Sequence, residues 1–110
     1  MISKKNKVGV LGGSFDPAHK GHLALSKEAI KRLNLKKVIW AVTKKNPFKK
    51  KSKMDLSNRI KYCKKVIGKN KFINVKFYED IIKSNKTIDL IIHLNQNKKN
   101  EIFFLMGADN

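Results

Sequence analysis

Short apolar runs separated by helically periodic segments are what most constrain this chain. Val8 to Leu11 and Val38 to Val42 read as buried strands, and Ile102 to Met106 reads as the last strand, ending in Gly107. Phe72 to Phe77 alternates instead, with Ile73, Val75 and Phe77 on one side and Asn74 and Lys76 on the other, as in a strand exposed on one face. Between the first two runs, Leu25, Ala29 and Leu33 recur every four residues from about Gly21, and Leu23 and Ile30 widen that face. Asp55 is placed to cap a second helix whose buried side is Leu56, Ile60, Cys63 and Ile67, closed by Gly68. A third helix is expected from near Thr87 to about Asn95. Thr43 to Lys53, which carries Asn46-Pro47, is a basic loop. The order βαβαβαβ predicts an α/β fold, a Rossmann-like parallel sheet with helices on both faces. Ligands of such sheets bind beyond the carboxyl ends of the strands, at a switch in strand order.

With 110 residues, the chain has room for one domain. No apolar run reaches the ~20 residues of a membrane span, and Val8 to Leu11 is too short for a signal-peptide core, so the cytoplasm is the expected location. Cys63 is the only cysteine, which excludes an internal disulfide and a Cys-rich metal site. Its place on a helix face suits a buried small hydrophobe, with a reactive thiol as the alternative.

The formal net charge of +18 raises the possibility of a nucleic-acid partner. Yet only Arg32 and Arg59 are arginine, the residue favoured for bidentate contacts. The lysines are spread along the chain, with one cluster at Lys44 to Lys53. A generally basic surface accounts for this distribution, and a site for a small anionic ligand is the alternative. The sequence also lacks an RRM-like aromatic strand, a KH glycine loop and zinc-finger spacing.

The chemistry concentrates in Gly12-Gly13-Ser14-Phe15-Asp16-Pro17-Ala18-His19-Lys20-Gly21-His22, where the first strand hands over to the first helix. Gly12 and Gly13 are expected to allow a tight turn and a close approach of backbone to ligand. The helix that starts near Gly21 offers free N–H groups and a positive dipole end to an anion. His19 and His22, three apart, can aim two imidazoles at one phosphate. A pair of surface or core histidines, or a shared metal, is the alternative for H-x-x-H in isolation.

This block resembles the (H/T)-x-G-H signature of the nucleotidylyltransferase α/β superfamily. Its form G-G-S-F-D-P-x-H-x-G-H is most similar to the nicotinate-nucleotide adenylyltransferase family. Further segments match in order: Trp40-Ala41-Val42-Thr43 with Asn46-Pro47-Phe48-Lys49, Leu56 to Arg59 as L-x-x-R, Thr87-Ile88-Asp89, and Phe104 to Asn110 as F-x-x-G-A-D-N. The resemblance therefore runs through nearly the whole chain, as the N-terminal part of a single domain, 1–110. The family's C-terminal I-S-S-T-x-I-R block has no counterpart here, and Leu90 stands where the family has a second threonine.

The resemblance implies transfer of AMP from ATP to nicotinate mononucleotide, with Mg²⁺ accompanying ATP. His19 and His22 would contact the triphosphate, His22 being the transition-state stabiliser. Gly12, Gly13, Ser14 and Phe15 would line the nucleotide, and Lys49, with Lys45 beside it, would attract a phosphate. Gly107 and Asp109 would bind ATP, Asp109 accepting from a ribose unless it is a loop aspartate with no role, and Thr87 would hold the mononucleotide unless it merely caps its helix. Arg59 would form a structural ion pair or approach a phosphate. Weak or no turnover is expected of these 110 residues alone. A sister transferase such as pantetheine-phosphate adenylyltransferase is the nearest alternative, and a basic nucleic-acid-binding protein is the more distant one.

Overall fold

The computed structural model describes residues 5–44, 55–84 and 86–105. Its elements are β1 (Asn6–Gly13), α1 (Lys20–Leu33), β2 (Lys37–Val42), α2 (Leu56–Ile67), β3 (Ile73–Lys76), α3 (Glu79–Ile82), α4 (Thr87–Asn95) and β4 (Asn100–Leu105). Among the described residues the strands form one sheet in the order β3-β2-β1-β4, and every pairing is parallel. The chain thus steps outward from β1 to β3 and then crosses back to the other side of β1. That reversal puts the topological switch between β1 and β4, at their carboxyl ends.

The two faces of the sheet divide the core. Leu11, Val38, Trp40, Val42 and Ile73 pack under α1 and α2 with Ala29, Cys63 and Ile67. Val8, Val10, Ile39 and Ala41 pack with Tyr78, and Leu90, Leu94 and Ile102 join them from α4 and β4. The expected parallel sheet with helices on both faces is therefore present. Because all strands run the same way, α1, α2 and α4 each begin on the carboxyl-end side of the sheet. Gly9 is needed for packing: a Cβ there would lie 2.8 Å from Leu35 Cδ1.

The helix ends follow local chemistry. Asp55 caps α2 by accepting from Asn58 N at 2.8 Å. Gly68 closes α2 with φ of 63°, a left-handed value that glycine adopts without steric cost. Asn34 ends α1 in the left-handed conformation, its N–H donating to the Ile30 carbonyl.

Several expectations need correction. The apolar stripe of α1 is not centred on Leu25, Ala29 and Leu33: Leu33 is exposed, and the buried residues are Ser26 and Ala29. On α2, Arg59 joins Cys63 and Ile67 in the interior, whereas Leu56 and Ile60 are half-buried. β3 is shorter than expected, with Phe72 exposed before it. α3 is a short helix that the apolar pattern does not predict. Its first residue, Glu79, accepts from Lys44 N at 3.0 Å and ties α3 to the end of β2. β4 begins at Asn100, ahead of the expected Ile102.

Candidate phosphate-binding site

The segment after β1 builds the site. Gly12 and Gly13 remain within the strand, paired with Ala41 and Val42, and Thr43 N extends that pairing to Gly13 O at 2.9 Å. The expected tight turn at these glycines is thus displaced. It falls at Phe15, whose φ is 50°, followed by a cis Asp16–Pro17 peptide. The turn is held by burial: the Phe15 side chain is 2% exposed and stacks on Trp40 with ring centroids 5.1 Å apart. Phe15 thus serves the site as packing beneath it, an outcome different from the nucleotide-lining role expected of it. At Gly12, by contrast, a Cβ would meet nothing within 4 Å, so the protein's own packing does not require a glycine there.

The two histidines form the first turn of α1. His19 is the N-cap residue, and its Nδ1 accepts from Gly21 N at 3.0 Å. His22 Nδ1 accepts in return from His19 N at 3.0 Å. This is the reciprocal arrangement of a capping box, with imidazole nitrogens in place of serine and glutamate oxygens. An accepting Nδ1 has its lone pair committed, so in each neutral ring the proton lies on Nε2. Each ring is thus fixed as an Nε2–H donor. The ring centroids are 4.0 Å apart, so both donors belong to one small region at the helix N-terminus. Gly21 makes this possible, since a Cβ there would lie 2.8 Å from His19 Cε1.

Below the histidines lies a buried polar link. Ser26 Oγ donates to the His22 carbonyl at 2.8 Å and accepts from Trp40 Nε1 at 2.8 Å. Phe15 sits between these groups, its ring 4.7 Å from that of His22.

Arg59 settles between its two expected roles in favour of structure, through backbone carbonyls. It is 1% exposed. Its Nη1 donates to Ser14 O at 2.8 Å and Thr43 O at 2.7 Å, and its Nη2 donates to Lys44 O at 2.5 Å. One planar guanidinium therefore joins the segments that leave β1 and β2. Cys63, one turn along α2, is fully buried; burial pushes its thiol up to about 11, partly offset by the Arg59 charge. It is the buried small hydrophobe expected.

Thr87 opens α4 as its first helical residue and is exposed. Lys86 holds the cap position, which removes capping as the explanation for Thr87. The turn into α4 is organised by Ser84, whose Oγ donates to Asp89 Oδ2 at 2.5 Å and accepts from Lys86 N at 3.1 Å. Lys45, Lys49, Gly107 and Asp109 lie outside the described residues.

Residues 10–110 match the cytidylyltransferase-like family. The chain belongs to that family. It is 68% identical, over all of its 110 residues, to a probable nicotinate-nucleotide adenylyltransferase of Pelagibacter ubique, and spans 61% of that protein. It is 38% identical over 106 residues to a protein of the same name from Bradyrhizobium sp. strain ORS 278, of which it spans 55%. The chain thus spans little more than half the length of these relatives.

Among solved structures it is similar to Plasmodium falciparum nicotinic acid mononucleotide adenylyltransferase complexed with NaAD. The TM-score is 0.70 and the identity 22%, over 94% of this chain and 53% of that one. The same enzyme complexed with APC gives a TM-score of 0.75 at 17% identity, over 94% and 52% of the two chains. At these identities the likeness establishes the fold alone.

What a sequence reading misses here are Ser26 with its bond to Trp40, and Glu79. A signal existed for the first: a buried tryptophan needs an acceptor for its indole N–H. Nothing in the apolar pattern marks Glu79.

Proposed function

We propose that this chain carries the nucleotide-binding half of a nicotinate-nucleotide adenylyltransferase of NAD biosynthesis. The observation that supports this most is the pair of imidazoles fixed as Nε2–H donors at the start of α1, at the sheet's switch point. The relatives' names supply the acceptor.

In this reading a phosphate oxygen of nicotinate mononucleotide attacks the α-phosphorus of ATP. The new P–O bond forms as the bond from the α-phosphorus to the α,β-bridging oxygen breaks. Nicotinate adenine dinucleotide and pyrophosphate result. No residue needs to be covalently modified, so the site acts by positioning and by stabilising charge on phosphoryl oxygens.

His19 and His22 donate from Nε2 to those oxygens, and the N–H groups of the first turn of α1 add to the same field. His22 stabilises the transition state. Gly12, Gly13 and Ser14 offer backbone to the nucleotide, and the open space at the Gly12 Cβ position fits a ligand that passes close to the strand. Lys49, and Lys45 with it, draw a phosphate. Gly107 and Asp109 bind ATP, Asp109 accepting from a ribose, and Thr87 holds the mononucleotide from the start of α4. Mg²⁺ bound to the ATP phosphates would offset charge on the leaving pyrophosphate.

The test is to incubate the full gene product with ATP, Mg²⁺ and one acceptor at a time: nicotinate mononucleotide, nicotinamide mononucleotide or pantetheine phosphate. The proposal expects pyrophosphate and a dinucleotide with nicotinate mononucleotide, and a loss of about a hundredfold or more in His22→Ala. Turnover with pantetheine phosphate alone would overturn the choice of acceptor. Full activity in His22→Ala would overturn the site.

A further inference from the structure

The helix N-terminus and the histidines belong to the proposed reaction, but Ser26 and Trp40 do not enter it. Both are completely buried. Trp40 lies in the middle of β2 and Ser26 on the inner side of α1. A buried serine in a helix is unfavourable unless its hydroxyl is satisfied, and this hydroxyl is satisfied twice. It donates to the carbonyl of His22 four residues earlier and accepts the indole N–H of Trp40. The indole in turn stacks on Phe15 with an interplanar angle of 14°, and Phe15 lies against the His22 ring. The Trp40 ring is itself 5.8 Å from that of His22. His22 is therefore held to the rigid sheet by two routes: its backbone through Ser26, and its ring through Phe15 and Trp40.

We infer that Ser26 and Trp40 are positioning residues that fix the backbone and ring of His22, so that its Nε2–H points at one place. The inference deepens the proposed function and takes its ligand from it. A hydroxyl that only filled space would leave the His22 ring unchanged when removed. A positioning hydroxyl would not.

The test compares the wild-type chain, Ser26→Ala and Trp40→Phe by imidazole ¹⁵N–¹H spectroscopy and by ATP titration. The chain has three histidines, so His93 on α4 serves as an internal reference. Loss of the Ser26 hydroxyl leaves the His22 carbonyl without that donor, so the His22 Nε2–H resonance should move while that of His93 stays in place. ATP affinity should fall by about threefold to tenfold, the size of one net hydrogen bond, and that fall should vanish when Ser26→Ala is made in a His22→Ala background.

Superimposable His22 resonances in wild type and Ser26→Ala would overturn the inference. So would a loss of ATP affinity that persists undiminished without His22. A wild-type chain that binds no ATP, while Ser26→Ala still shifts His22, would refute the proposed function and leave the positioning role standing. If Ser26→Ala fails to fold, Trp40→Phe decides. It keeps a stacked ring but frees the hydroxyl from the indole, and it must shift His22 in the same direction. No shift there overturns the inference.

Discussion

Arg59 Nη1 donates to the Ser14 carbonyl at 2.8 Å, so a residue of α2 holds the loop that follows β1. The same guanidinium holds Thr43 and Lys44 at the end of β2. Lysine has no planar fork and cannot satisfy three carbonyls in this way. Arg59→Met should therefore destabilise the chain by about 3 kcal/mol, mostly through carbonyls left without donors, and Arg59→Lys should fall between it and wild type. Urea unfolding measures both. Equal stability of wild type and Arg59→Met would show that the clamp contributes nothing.

Gly12 and Gly21 offer opposite outcomes from the same substitution. A Cβ at Gly21 collides with the His19 ring, whereas one at Gly12 enters open space. Gly21→Ala should expel the imidazole from its capping position at a cost of about 1 kcal/mol and weaken ATP binding. Gly12→Ala should keep or slightly raise stability, since alanine in a strand avoids a backbone penalty of about 0.5–1 kcal/mol, yet still weaken ATP binding. Melting curves beside nucleotide titrations separate the two cases. Unimpaired binding in Gly12→Ala would mean that no ligand uses that space.

His19 has two separable tasks. As N-cap it accepts from Gly21 N, and in the proposed reaction it donates from Nε2. Asparagine is among the best N-cap residues but lacks an imidazole donor. His19→Asn should stay within about 0.5 kcal/mol of wild-type stability, while His19→Ala should lose about 1 kcal/mol. Both should lose ATP affinity. Normal binding by His19→Asn would remove the imidazole from the proposed reaction.

Cys63 gives a pH dependence with a definite sign. Its thiol is raised from 9.0 to about 11 by burial. Between those values the unfolded chain has released the proton and the folded chain retains it. The stabilising contribution is complete below pH 9 and is lost as pH rises towards 11. Cys63→Ala should remove that part of the alkaline decline in stability. In the native chain at pH 8 the thiol should also react with a disulfide reagent only as fast as the chain opens. Rapid modification without unfolding would contradict its burial.

Much of this architecture is legible in the sequence because strand and helix periods are local. Val8 to Leu11, Val38 to Val42 and the Asp55 and Gly68 boundaries of α2 are expected from residue pattern alone, and the structure has them. The site's position follows from βαβ order and from His19 and His22 at the helix start. What the pattern does not carry is partnership across distance. Leu33 reads as core by spacing but is exposed as the last residue of α1, while the polar Ser26 is fully buried, its hydroxyl accepting the indole N–H of Trp40, fourteen residues away. Arg59 is charged and would be placed outside by composition; it is buried because three carbonyls from two other segments converge on it. The turn fell at Phe15 rather than at the two glycines for a similar reason. Stacking on Trp40 stabilises a conformation that sequence alone assigns to glycine.

The central claim is that His19 and His22, held as Nε2–H donors, receive the phosphates of ATP. Imidazole ¹⁵N–¹H spectra of the chain during an ATP titration test it most directly. The account predicts that the Nε2–H resonances of His19 and His22 are present before ATP is added and move together as it binds, while those of His93 stay in place. ATP-induced movement of His93 alone, or Nδ1–H tautomers at residues 19 and 22, would contradict it.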